Sequence, residues 1–308
     1  MTGPNVLVTG GAGYKGALLV EGLLDRGCRV CALDNFMYGY ESLLHLVRRR
    51  SLTVVQRDVR NLEPAFLKDF DVVYHLAGIS GMPACAANPH AAEMINVKAT
   101  RTLAGLLAPS QVMIYASTTS LYGSASEDCD EDSAFSPPSL YAMTKHEGEK
   151  AVMKRSNSIA LRFATVFGVS TRMRNDLLVN DFTYRAVTER SLVLFGRSSR
   201  RTFMHIDDAI AGYLFALDHV SELSGEIINV GDERLNLSKR DIAEAIRRFV
   251  DYEIVDSTLP DLDTRDFSVS FAKARAFGFQ VSLDLEDGIR DLVKLYGFYR
   301  AYSHYRVI

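Results

Sequence analysis

The chain has 308 residues, 47% of them hydrophobic and 24% charged, with a formal net charge of −3. That length and composition suit one large or two modest globular domains, each with its own core. The charge gives no reason to expect nucleic acid or an anionic membrane as a partner, and no apolar run approaches the roughly 20 residues that span a bilayer.

Met1–Asn5 leads straight into a strand pattern with no basic, apolar leader, so the expected location is cytoplasmic. Val6–Thr9 is a short apolar run of β type. Gly10, Gly11, Gly13 and Gly16 interrupt it, and Ala17–Leu24 resumes with helical periodicity. Strand, glycine turn and helix open a dinucleotide-binding unit: Gly10 for the tight turn, Gly13 for close approach of a pyrophosphate, Gly16 for packing of helix on strand. The N–H groups and dipole of the helix then face the phosphates. A second strand, Arg29–Leu33, ends at Asp34. A carboxylate there accepts hydrogen bonds from a ribose 2′-OH and repels a 2′-phosphate, which favours NAD over NADP.

Cys28, Cys31, Cys85 and Cys129 make no disulfide framework in a chain of this size. Cys28 and Cys31 form a C-x-x-C, but a separation of three along a strand points side chains to opposite faces, so they read as strand filler and no metal site is expected.

Glu41–Arg50 has the pattern of a helix with a basic end at Arg48–Arg50. Leu52–Gln56 reads as a third strand, with Asp58 and Val59 beyond its carboxyl end, where an adenine would lie. Val72–Leu76 is a continuous apolar run suited to a buried parallel strand and ends in the small residues Ala77 and Gly78. A helix pattern from Pro89 to Leu107 leads to a fifth strand, Val112–Ala116. The alternation predicts an α/β fold with a doubly wound parallel sheet, which binds ligands at the carboxyl ends of its strands.

Ser117, Thr118, Thr119 and Ser120 follow the fifth strand. After an acidic loop, Glu127–Asp132, and Pro137-Pro138, a helix begins with Tyr141-Ala-Met-Thr-Lys145. A separation of four stacks Tyr141 and Lys145 on one face. An ammonium beside the phenol, with an oxidised nicotinamide as a second positive charge, lowers the tyrosine pKa from its usual value of about 10. The phenolate can then take a proton from a hydroxyl as hydride leaves, and return it later. Thr118 can aim the same hydroxyl. The Tyr-x-x-x-Lys pattern alone also fits an ordinary surface pair; the dinucleotide loop and the hydroxyl-rich strand end set it apart.

At this point the sequence resembles the extended short-chain dehydrogenase/reductase superfamily, in its NAD-dependent nucleotide-sugar epimerase/dehydratase branch. The matching segments are Thr9–Gly16, Asp34, Asp58-Val59, His75–Gly78, Asn96-Val97, Ala116–Gly123, Tyr141–Lys145, Leu161–Gly168 and Arg201–Ala209. The resemblance implies a Rossmann-type sheet with a smaller C-terminal substrate lobe. It also implies NAD held by Gly10, Gly13, Gly16, Asp34, Asp58, Val59, Ala77 and Asn96, with Lys145 on the nicotinamide ribose, Tyr141 as base and Thr118 as its hydroxyl partner. Asn180 matches an asparagine used on the substrate diphosphate, and Arg201 and Arg265 match arginines that clamp it. A guanidinium suits phosphate because it donates paired, charge-assisted hydrogen bonds; surface salt bridges are the other reading of both. Asp207 and Asp208 read as capping the next helix, and His205 as structural. Thr165, where the family carries Asn, and Lys15, where it carries an aliphatic residue, are departures. The family division places residues 1–166, with a returning segment near 205–231, in the NAD domain and residues 167–204 and 232–308 in the substrate lobe. Helices near Ala91–Leu107 and Tyr141–Arg155 resemble those that pair in homodimers.

All members of the branch oxidise a sugar hydroxyl first. The 4,6-dehydratases place Asp and Glu directly after the threonine, and decarboxylases tend to have Glu where Ser120 stands; Thr119 and Ser120 can do neither task. Epimerisation at C4 of a nucleotide-diphosphate sugar remains, with UDP the commonest nucleotide of the branch. A dehydrogenase or 4-ketoreductase, a dehydratase or decarboxylase using other carboxylates, and a non-catalytic NAD sensor are the alternatives. Cys85 either touches the sugar or packs. The sugar and the base are not specified.

Overall fold

The apolar runs become the strands of one parallel sheet in the computed structural model, which describes residues 3–300, with the backbone alone at Ser126 and Glu127. The strands are β1 (Asn5–Thr9), β2 (Arg29–Asp34), β3 (Leu52–Gln56), β4 (Val72–His75), β5 (Val112–Thr118), β6 (Ser158–Phe163) and β7 (Ile227–Val230). Their order is β3-β2-β1-β4-β5-β6-β7, with every neighbour parallel. The direction of winding reverses between β1 and β4, and the crevice at that point is where such sheets take ligands.

Both faces of the sheet are covered, which is why the central strands are apolar throughout rather than alternating. Val6, Val8, Val30, Ile114 and Leu161 pack one face under the helices Gly16–Asp25 and Ile206–Asp218. Leu7, Leu33, Val73, Met113 and Tyr115 pack the other with Leu103 and Val152. Cys28 falls in the first core and Cys31 in the second, as their spacing requires, and all four cysteines are buried thiols outside any disulfide.

A separate core of Phe167, Phe203, Ile242, Ile246, Ile289, Leu292 and Tyr296 marks the smaller lobe. It contains a three-stranded sheet of Thr165–Phe167, Arg200–His205 and Asn236–Ser238, and a parallel pair of Ser191–Leu194 with Glu253–Asp256. Residues 267–279, assigned above to this lobe, pack instead with the first core through Phe267, Val269, Phe271 and Phe279. The reason is a strand: Asp266–Val269 pairs in parallel with Ser124–Cys129, the stretch whose acidic end reads as a loop in the sequence.

Two helices differ from their sequence patterns. Glu41–Arg50 yields one short 3₁₀ segment, Glu41–Leu46, because only Leu43 and Leu46, at the eclipsed spacing of three, reach the core; Arg48–Arg50 lie beyond it. Pro89–Leu107 is divided into Pro89–Ala92, a π-helical Glu93–Ala99 and Thr100–Leu106. The widened turn carries Asn96 inward. Its Oδ1 accepts from Ile79 N at 2.8 Å, and its Nδ2 donates to Ile79 O at 2.9 Å and Thr144 Oγ1 at 3.1 Å.

The helix Leu140–Val152 is capped by Ser139, whose Oγ accepts from Ala142 N at 3.2 Å. Glu149 fixes it to the sheet: its carboxylate accepts from Ser117 Oγ at 2.6 Å and from Arg162 Nε and Nη2 at 3.0 and 2.8 Å. Arg162 and Glu149 are 1% and 2% exposed, so this is a buried ion pair. It locks β5, β6 and the helix in one register, directly behind Thr118 and Tyr141.

The helix Ile206–Asp218 is capped by His205 rather than by the aspartates after it: His205 Nδ1 accepts from Asp207 N at 3.2 Å. Asp208 instead accepts from Ser282 N, Ser282 Oγ and Leu283 N, tying down the chain before the last helix. No helix of the described residues is long and apolar enough to cross a membrane.

Candidate active site

Two adjoining cavities open at the carboxyl ends of the strands, of about 190 and 790 Å³. Gly10, Gly13 and Gly16 line the first, with Asp34 at the end of β2, Asp58 and Val59 beyond β3, and Ala77 after β4. Gly10 has φ +72°, and a Cβ there would lie 2.8 Å from Ala77 N; a Cβ at Gly16 would sit 2.0 Å from Gly10 O. Both positions therefore demand glycine. Asp34 braces the loop, accepting from Ala12 N at 3.1 Å and Phe36 N at 2.9 Å. Asp58 is bound by Arg60 through Nε and Nη2. Arg172, 3% exposed, stacks on Tyr38 in the wall of this cavity, and its Nε and Nη2 are buried without a partner. A guanidinium held this way is ready to donate to an acceptor in the cavity. Glycine cradle, carboxylate at the end of β2 and orphaned guanidinium together fit a dinucleotide.

Thr118 and Tyr141 line the second cavity, as do Arg201 and Arg265. Thr118 ends β5, and its Oγ1 accepts from Ser120 N at 3.1 Å, which leaves its proton free to point outward. The Tyr141 hydroxyl is within hydrogen-bonding reach of both Thr118 and Ser80. Ser80 in turn accepts from Arg174 Nη1 at 3.1 Å, so its own proton is available to the phenol. Arg174 is paired with Asp176.

The charge environment of Tyr141 differs from the expectation. Its pKa is raised, because burial disfavours the phenolate more than Ser80, Arg174 and Thr118 favour it. Lys145 lies one helical turn beyond Tyr141. Its Nζ is turned over the ring of Tyr115, 4.0 Å from the centroid, and burial brings that ammonium down to about 7. Ser80 and Arg174 are the partners the sequence reading missed. Ser80 follows the small-residue turn Ala77-Gly78 at a strand end, which was the available signal; Arg174 carries none, since the fold alone brings it there.

At the far end of the second cavity Arg201 and Arg265 share one carboxylate. Asp263 Oδ2 accepts from Arg201 Nη1 at 3.0 Å and from Arg265 Nη2 at 2.7 Å. Despite its burial, the hydrogen bonds and charges of Arg265 and Arg201 hold Asp263 down at about 2. Burial, with Arg265 alongside, brings Arg201 down to about 10, so it stays charged at neutral pH. Arg265 Nη1 also donates to Ser120 Oγ at 2.9 Å. Two guanidinium groups over one carboxylate leave a net positive end suited to phosphate.

Asn180 and Asn96 do not reach a cavity. Asn180 is fully buried, accepts from Gly168 N at 3.0 Å and donates to Arg174 O at 2.9 Å, so it shapes the loop that carries Arg174. Asn96 holds the Ile79 backbone behind Ala77. The polar atoms of both are matched inside the protein. Cys85, fully buried beside Ile79 O and Asn96, packs and lines neither cavity. Thr119 donates to Phe163 O at 3.2 Å and is equally internal. Each carboxylate lining the second cavity, Asp176, Asp181 and Asp263, is paired with an arginine.

A parallel sheet with a glycine-loop cavity, joined to a cavity with a tyrosine hydroxyl and a cationic end, has the architecture of a dinucleotide-dependent enzyme. The chain belongs to the NAD dependent epimerase/dehydratase family, whose model matches residues 6–231. It is similar to YtcB of Bacillus subtilis (strain 168), described as an uncharacterized UDP-glucose epimerase, at 32% identity over 76% of this chain and 79% of that protein. UDP-glucuronate 4-epimerase 2 of Arabidopsis thaliana is 28% identical over 97% of this chain and 77% of its own length. The fold matches the crystal structure of UDP-glucuronic acid 4-epimerase from Bacillus cereus in complex with UDP-glucuronic acid and NAD. That match has a TM-score of 0.87 at 25% identity and covers 95% and 99% of the two chains.

Proposed function

We propose that this protein is an NAD-dependent UDP-sugar 4-epimerase, with a UDP-hexuronate as the first substrate to test. The observation that carries the reading is the Tyr141 hydroxyl, set between Thr118 and Ser80 in a cavity that joins the glycine-loop cavity. The names of the relatives supply the UDP-sugar and, at lower identity, the uronate.

Gly10, Gly13, Gly16, Asp34, Asp58, Val59, Ala77 and Arg172 would hold the dinucleotide. When bound, NAD supplies the hydride acceptor at the sugar and the positive charge that makes a Tyr141 phenolate accessible. Thr118 and Tyr141 grip the C4 hydroxyl, and Tyr141 takes its proton as the C4–H bond breaks. Arg201 and Arg265 keep the diphosphate in place while the keto sugar swings about it, for which a cavity of about 790 Å³ leaves room. Tyr141 then returns the proton after hydride adds to the other face. Elimination and decarboxylation are disfavoured because the cavity carboxylates are already engaged by arginines.

The unbridged cysteines agree with a cytoplasmic location. A homodimer would pair the faces of Thr100–Leu106 and Leu140–Val152, where Met143 is 52% exposed.

Incubated with UDP-glucuronate and no added cofactor, the purified protein is expected to form the C4 epimer at constant mass with no lasting NADH, read by NMR and by the NADH absorbance band. Stoichiometric NADH, loss of water or loss of carbon dioxide would overturn the reading.

A further inference from the structure

Four residues line both cavities: Tyr14, Lys15, Ser80 and Arg174. If one cavity holds the dinucleotide and the other the sugar, hydride must pass where the two meet, so these four surround the point of transfer. Three have evident tasks. Tyr14 donates to Gly168 O at 2.8 Å, while Ser80 and Arg174 serve Tyr141.

Lys15 has no such task. It stands in the glycine loop, immediately before the helix Gly16–Asp25. Its Nζ lies 4.0 Å from the ring centroid of Phe163 on β6 and 5.3 Å from that of Tyr213 on the helix Ile206–Asp218. It forms no ion pair among the described residues. The charged groups that face it are Lys145 from the helix Leu140–Val152 and Arg174 from the loop after Gly168, both cationic; Asp176 is engaged by Arg174. The aromatic faces attract a cation but do not neutralise it. An ammonium set in a cavity wall against two aromatic rings and two other cations, with no counter-ion, is costly and calls for a purpose.

Resting on the NAD reading above, we propose that Lys15 stands beside the redox end of the bound dinucleotide and favours its reduced form, making the cofactor a stronger oxidant of the sugar. The charge balance gives the reason. Oxidation moves a hydride, one proton with two electrons, from C4 to the nicotinamide, and moves the hydroxyl proton to Tyr141. The nicotinamide thereby loses its positive charge. A fixed cation at close range repels the oxidised ring and is indifferent to the neutral reduced one. An aliphatic residue in this place lacks that effect.

The proton on Lys15 is itself loosely held, since burial, Lys145 and Arg174 bring its pKa down to about 7. The ammonium is present below that value and lost above it, so the effect belongs to the acid side of neutrality.

The test is the ratio of the dissociation constants of NAD and NADH, which by linkage reports how far the protein biases the bound couple. The chain contains no tryptophan, so NADH fluorescence can be read without that background, with calorimetry for NAD. At about pH 6, Lys15→Met is expected to reduce the preference for NADH by about tenfold relative to wild type. At about pH 9 the two should agree, while Lys15→Arg, which stays charged, should keep the preference at both values. An unchanged ratio in Lys15→Met at the lower pH would overturn the proposal, as would equal weakening of both forms, which would make Lys15 a packing or phosphate contact. Failure of the wild-type protein to bind either form would instead overturn the NAD reading itself.

Discussion

Replacing Tyr141 by Phe is expected to lower turnover by about 10²–10⁴-fold, the usual contribution of a positioned acid–base group. Only the hydroxyl is removed. Its neighbours Thr118 and Ser80 keep other hydrogen bonds, Thr118 from Ser120 N and Ser80 from Arg174, so the cavity should keep its shape. KM for the nucleotide sugar should change little if, as proposed, Arg201 and Arg265, which meet at Asp263, hold the diphosphate end. Steady-state kinetics, with circular dichroism and NAD content as controls, check this. More than a tenth of wild-type kcat in the variant would remove Tyr141 from the base role. A water or Ser80 would then have to carry the proton.

The largest expected effect on stability comes from Glu149. Glu149→Ala leaves the Arg162 guanidinium buried with only Tyr122 Oη, at 3.0 Å, and Glu131 O, at 3.1 Å, as acceptors, and strips Ser117 of its partner. Breaking a buried ion pair on one side costs about 3–5 kcal/mol, most of it from the charge left behind. Denaturant unfolding measures the loss. Glu149→Gln, which keeps an acceptor and the shape, should lose less. A change under about 1 kcal/mol in Glu149→Ala would mean that the pair contributes little beyond its replacement by water. The pair also sets the register of Thr118 and Tyr141, so surviving Glu149→Ala protein should lose activity without losing any group that touches substrate.

The strands and the glycine loop were legible because local pattern decides them. An apolar run buried on both faces can hardly be anything but a central parallel strand, and β1–β5 begin and end close to where their runs do. Glu41–Arg50 misled because Leu44 and Val47 complete a helical pattern yet stay exposed, leaving only Leu43 and Leu46 to pack. The π-helical turn at Glu93–Ala99 was invisible because its cause, the bonds from Asn96 to Ile79 and Thr144, is tertiary. The same divide runs through the site. Tyr141 and Thr118 could be found because spacing and strand ends are sequence properties. The phenol's partners Ser80 and Arg174 arrive from other elements, and Lys145, four residues from Tyr141, turns toward Tyr115 instead. The side chains of Asn180 and Asn96 bond to backbone inside the protein, which spacing along the chain does not reveal.

The central claim is that one bound cofactor removes hydride from C4 and returns the same hydride to the opposite face. A UDP-sugar deuterated at C4, mixed with unlabelled substrate distinguished by a heavy-isotope nucleotide, tests it most directly. The account predicts a C4 epimer that retains its deuterium at C4, with no crossover of label between the two populations. Wash-out of deuterium into solvent, or its transfer to the unlabelled pool, would contradict it.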